Sequence, residues 1–239
     1  MTKLYSQLAQ VYHEMYQSIF DYKKEFNRYH RLLNKHRCHR VLEIGCGSGN
    51  LAPYFLDASY DYMGMDVAEG MLKIAKRMAP AAQFVGADMR KFHFNRKFDA
   101  VIITGRSFTY MTTNSDVLGA LQSVHAALRP HGLLIFDNFD ATAIFKDFSK
   151  RLTQKAWSGG KRFVRCSEKS MNLETGWTWN WNARYEVTEN KKKQVMFDES
   201  ILRAFTPDEL SLFLRLAGFG ILSSKKREDC EIVTVARRM

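Results

Sequence analysis

Three glycines separated by single residues, Gly45-Cys46-Gly47-Ser48-Gly49, follow the apolar run Val41-Leu42-Glu43-Ile44 and precede a helical stretch that starts at Leu51. Glycine lets a backbone approach a ligand closely and adopt positive φ, while the first turn of the next helix offers free N–H groups. A cofactor loop is the expected use. The spacing is G-x-G-x-G, and Asn50 stands where a dinucleotide-binding G-x-G-x-x-G would place its third glycine. Glu43, two residues before Gly45, would repel a pyrophosphate and attract an ammonium group. Alone, so short a pattern also fits a plain strand-to-helix turn.

Two further acids narrow the choice. Asp66 closes the run Tyr62-Met63-Gly64-Met65, 21 residues after Gly45. An acid about 20 residues beyond such a loop accepts hydrogen bonds from ribose hydroxyls. Asp88 follows Gln83-Phe84-Val85, placed to accept from an adenine amino group, with Met89 offering an apolar surface to the ring. Each acid singly fits an ordinary surface carboxylate, but three acids closing three successive strands do not. Ligands of open α/β sheets bind at the carboxyl ends of the strands. Thr104, Arg106, Ser107 and Tyr110 after the fourth strand and Asn138 after the fifth are therefore further candidates.

The elements that must position these residues alternate. Leu4, Leu8, Val11, Met15 and Ile19 recur at helical spacing, and a second helix is expected around Phe26–Leu33. From Arg40 short apolar runs alternate with helical stretches through Leu133-Leu134-Ile135-Phe136, the pattern of a parallel sheet covered on both faces. After Asp140 the rhythm changes. Residues 161–206 read as three antiparallel strands broken by turns at Asn172–Gly176 and Glu189–Lys193. Trp177, Trp179 and Trp181 alternate with polar residues and share one strand face, either packing it or walling a substrate pocket. Thr206 caps a helix beginning at Pro207, Gly218 stops it, and Ile221-Leu222 and Ile232–Val235 supply the last strands.

Composition sets the outer bounds. The 239 residues, 46% apolar and 26% charged, suit one globular domain, and no apolar run approaches the ~18 residues of a membrane helix. No secretory signal is read at the amino terminus, so a cytoplasmic location is expected. Cys38, Cys46, Cys166 and Cys230 form no metal-binding clip, and no metal is expected. The net charge of +11 is uneven: +5 over residues 1–40, −1 over 41–145 and +7 over 146–239. Basic flanks around a neutral centre leave nucleic acid open as a partner.

With these residues in place the sequence resembles the class I S-adenosylmethionine (SAM) dependent methyltransferases. The resemblance rests on Val41–Gly49, Gly64-Met65-Asp66, Met71-Leu72-Lys73-Ile74-Ala75, Gly86-Ala87-Asp88-Met89-Arg90 and Leu128-Arg129-Pro130-His131-Gly132. Leu8–Tyr12 leading to Asp21-Tyr22, Ser107–Met111 and the three-strand excursion resemble the small-molecule N-methyltransferases, including those that dimethylate nucleotide-linked amino sugars. The chain departs from that pattern at His131, where the family has glycine, and at Asp137-Asn138-Phe139, where it has an aromatic pair.

The resemblance implies an α/β, Rossmann-like, seven-stranded mostly parallel sheet of order 3-2-1-4-5-7-6. An N-terminal helical cap (1–38) precedes the SAM-binding core (39–140), followed by an antiparallel lid insertion (141–206) and the last helix and strands (207–239). It implies SAM bound by Tyr16, Tyr22, Glu43, Gly45, Cys46, Gly47, Gly49, Asp66, Val67, Met71, Asp88, Met89, Thr104 and Ser107. Tyr110 and Asn138 are expected at the acceptor. The expected activity is methyl transfer to a small molecule, favouring an amine, by in-line displacement, which needs alignment and excluded water rather than a covalent residue. Lys161, Arg162 and Arg165 are expected to hold an anionic group of that acceptor. An RNA methyltransferase and a non-catalytic SAM-binding module are the competing readings, and the chain is expected as a monomer or homodimer.

Overall fold

The computed structural model describes residues 8–146, 148, 151–227 and 230–239. The part of the expected first helix that precedes Leu8 lies outside them. Two helices, α1 (Ala9–Gln17) and α2 (Tyr22–Lys35), lead into β1 (Arg40–Ile44). Asp21 starts α2 by accepting from the Lys24 N–H at 2.9 Å. The alternation continues with α3 (Ala52–Asp57), β2 (Asp61–Asp66), α4 (Glu69–Met78), β3 (Gln83–Gly86), β4 (Phe98–Ile103), a 3-10 turn (Ser107–Tyr110), α5 (Asn114–Ala127) and β5 (Leu128–Phe139).

The strand residues explain the layers. Leu42, Ile44, Val101, Ile103, Leu134 and Phe136 pack on one face of the sheet with α5 and the late helix α7 (Pro207–Leu216). Their neighbours Val41, Ala100, Ile102, Leu133 and Ile135 pack on the other face with α2 and α3. Strands buried on both sides read as unbroken apolar runs, as these do.

The seven-stranded sheet runs β10-β11-β5-β4-β1-β2-β3, with β10 (Phe219–Lys226) and β11 (Glu231–Arg238) at one edge. Set apart from the lid strands, this is the order 3-2-1-4-5-7-6, and the last strand, β11, is antiparallel to both neighbours.

The lid differs from expectation by one strand. It is a four-stranded antiparallel sheet of β6 (Arg151–Ser158), β7 (Lys161–Met171), β8 (Trp177–Glu189) and β9 (Lys192–Ala204), preceded by α6 (Ala141–Lys146). The added strand β6 pairs with β7 from Arg151 to Ser158 across the Gly159-Gly160 turn, where both glycines take positive φ. Its polar composition hid it, because only Ala156 on it is buried.

His131 adopts φ +62°, the left-handed conformation that suits the glycine of the family pattern. His125 packs edge-on against Phe219, at a helix face turned away from the strand ends that carry the acids.

Candidate active site

A cleft of about 960 Å³ opens at the carboxyl ends of the parallel strands. Its floor is the glycine loop, with Asp66, Val67 and Met71 on one side and Asp88, Met89 and Arg90 beyond them. Ser107, Tyr110 and Thr112 form its far wall, and Tyr12 from α1 with Asn180, Asn182, Glu199 and Ser200 from the lid close over it.

Within the loop, Gly47 has φ +53°, and a Cβ built on it would meet nothing within 4 Å, so its outer side is open space. Its N–H donates to Asp66 at 2.8 Å, while the other Asp66 oxygen accepts from the Ala68 N–H at 2.8 Å. Asp66 thus fixes the loop and still borders the cleft. Burial pushes its carboxyl up, opposed by these backbone hydrogen bonds. Gly49 acts on packing instead. A Cβ there would come within 2.9 Å of Ala75 Cβ and 3.0 Å of Phe84, so the glycine lets α4 and β3 close beneath the loop. Gly45 leaves room for Ser107, whose hydroxyl donates to the Thr104 carbonyl at 2.7 Å. Asp88 is gripped by Arg90 at 2.6 Å, and Arg90 also reaches Asp116 at 3.2 Å. That grip holds the Asp88 carboxyl below its ordinary value.

Several expected residues stand elsewhere. Glu43 is buried under the loop and does not line the cleft, because its oxygens accept from Tyr62 at 2.5 Å and from Thr104 at 2.7 Å. Burial pushes its pKa up to about 7, against those two hydrogen bonds. Glu43 thus meets two buried hydroxyls, and Thr104 donates to it from beneath the loop. The Cys46 thiol is buried and driven up by that burial. Tyr16 stacks on Tyr12 with centroids 4.0 Å apart, and its hydroxyl accepts from Arg165 of the lid. Tyr12, one helical turn earlier, borders the cleft in its place. Tyr22 is raised by burial and hydrogen-bonds Asn50, outside the cleft lining. Asn138 is fully buried in β5, donating to the Phe139 carbonyl at 3.0 Å, and lies outside the cleft lining.

The lid presents its polar side to the cleft. Trp179 is 1% exposed and packs with Phe139 and Phe145, and the indole face as a whole turns toward α6 and α1. Lys161 pairs with Glu14 at 2.9 Å. Arg165 lies over the rings of Tyr16 and Trp181, at 5.5 and 5.4 Å from their centroids. Neither these two nor Arg162 lines the cleft, so the anion grip expected of them is not formed there. Tyr12, Arg90, Asn180, Asn182 and Glu199 were not legible as site residues. Tyr12 and Tyr16 share a helix face, which periodicity cannot divide, and the lid residues carry no motif.

The comparisons agree with this architecture. Residues 41–132 match a family model described as a methyltransferase domain. A sequence relative, the dTDP-3-amino-3,4,6-trideoxy-alpha-D-glucopyranose N,N-dimethyltransferase of Streptomyces venezuelae, is 30% identical over 107 residues, covering 45% of this chain and 45% of that protein. The chain spans about half the length of the curated relatives it matches. Among solved structures, a SAM-dependent methyltransferase from Clostridium acetobutylicum superposes with a TM-score of 0.81 at 17% identity, covering 97% of both chains. DesVI of Streptomyces venezuelae gives 0.80 at 21% identity, covering 90% of this chain and 91% of its own. Residues 41–132 thus resemble a methyltransferase domain, and the solved structures share the fold. At these identities the solved structures establish the fold that the two halves of the chain share with them.

Proposed function

We propose that this protein transfers a methyl group from SAM to the nitrogen of a small-molecule amine held in the cleft. The observation that carries the reading is one shared cleft in which the open Gly47 backbone, Asp66 and Asp88 face the lid's polar side across Tyr110. The residues present fit the cofactor. Gly47 would let the backbone approach it, Asp66 keeps lone pairs for ribose hydroxyls, and Val67, Met71, Asp88 and Met89 line the part of the cleft that would take the adenine. Bound SAM supplies an electrophilic methyl group on a sulfonium.

The chain's part is to position the acceptor and exclude water. Tyr110, at the end of the 3-10 turn, borders both halves and orients the amine. Displacement at a sulfonium methyl needs the nitrogen lone pair, so the amine reacts in its neutral form, its proton having passed to water. The amino-sugar N,N-dimethyltransferases among the sequence relatives support nitrogen as the acceptor atom.

The test is radiolabel transfer from SAM to a panel of small amines. Turnover is expected to rise with pH as the amine deprotonates, and Tyr110→Phe to lower turnover more than SAM affinity. Transfer to bulk RNA, with none to any amine, overturns the reading.

A further inference from the structure

The cleft's acceptor half carries a carboxylate that the chemistry above does not use. Three carboxylates border the cleft. Asp66 is tied to two backbone N–H groups, and Asp88 to Arg90. Glu199, on lid strand β9, has no ion-pair partner among the described residues. Arg90, the one cation of the described lining, is already shared between Asp88 and Asp116. In a protein of net charge +11, the acceptor end of the cleft is thus uncompensated and negative.

Strand alternation adds a second feature. Phe197, Glu199 and Ile201 lie on one face of β9, and Phe197 is 62% and Ile201 43% exposed. Asn182 stands directly across from Glu199 and Asn180 from Ile201 on β8. A charged group between two exposed apolar side chains, with amides opposite, matches a ligand that has a cationic head on an apolar body.

We propose that Glu199 is the specificity-determining residue of the acceptor half, admitting protonated amines and turning away carboxylates, while Ile201 in the cleft, and Phe197 outside its lining but on the same strand face, receive an apolar body attached to the amine. This rests on the methyltransferase reading for the identity of the neighbouring half. It reverses the expectation of an anionic acceptor. Methyl transfer needs the neutral amine, so the ion pair acts at recognition, and the proton passes to the solvent that reaches Glu199.

The experiment is calorimetric titration of the protein loaded with S-adenosylhomocysteine, using benzylamine, benzyl alcohol, benzoate and methylamine. Benzylamine is expected to bind about tenfold more tightly than benzyl alcohol, the worth of one charge-assisted hydrogen bond in a partly hydrated site, and benzoate more weakly than either. Glu199→Gln should remove the tenfold advantage and leave benzyl alcohol unchanged. Phe197→Ser should narrow the gap between benzylamine and methylamine. Equal binding of benzoate and benzylamine, an unaltered preference in Glu199→Gln, or no binding of any aromatic probe overturns the proposal. Failure of S-adenosylhomocysteine to bind instead breaks the methyltransferase reading, and the charge preference is then read on the free protein.

Discussion

The two halves of the cleft are built on different principles. The cofactor half is assembled from consecutive turns of one parallel sheet and held by short backbone hydrogen bonds, such as those from Gly47 and Ala68 to Asp66. The acceptor half joins residues 110–112 to residues 180–201, brought together only because one face of a four-stranded sheet packs on α1 and α6 and the other turns to the cleft. A half built from local bonds tolerates little change in its backbone. A half built from a packed sheet depends on a face that never touches the ligand.

Four substitutions break or sharpen that contrast. The largest effect is expected at Trp179, where truncation to alanine empties a fully buried site and should cost about 3–5 kcal/mol of stability. Thermal unfolding measures this, while the Michaelis constant for the acceptor should stay near its original value; a large rise in that constant would place the indole face in the pocket. Next, Gly47→Val should weaken SAM by about a hundredfold or more, since a β-branched residue at φ +53° both strains the loop and fills its open side. Calorimetry reads the loss, and unchanged affinity would remove the loop from the site. Asp66→Ala should weaken SAM by ~1–3 kcal/mol, because it strips a charged acceptor from the ribose and an anchor from Gly47. If the variant still prefers SAM over its 2′-deoxy analogue by the original margin, Asp66 serves the loop alone.

The smallest effect is expected at His131, near the amino end of β5 and remote from both halves. His131→Gly relieves the left-handed φ at some cost in chain entropy, for a net gain of about 0.5–1 kcal/mol. Melting should rise with SAM affinity and turnover unmoved, and a fall in either would tie this turn to the cleft.

By itself the sequence determined the strand–helix alternation of the parallel core and the loop-and-acid set Gly45, Gly47, Asp66, Asp88 and Met89, because each depends on the residues next to it: buried strands need apolar runs, and a tight turn needs glycine; the strand order came from the family resemblance instead. Tertiary structure alone decided which polar groups around that set line the cleft. Glu43 looked like a cofactor contact but is met by Tyr62 from β2 and Thr104 from after β4, partners 19 and 61 residues away. Tyr12 and Tyr16 are equivalent on their helix until Arg165 of the lid captures one of them. Strand β6 and the cleft-facing Asn180, Asn182 and Glu199 left no mark in the pattern, since an exposed strand carries few apolar residues and a polar face reads the same whether it meets water or a substrate. Local rules place a side chain on a face, and long-range packing chooses what that face meets.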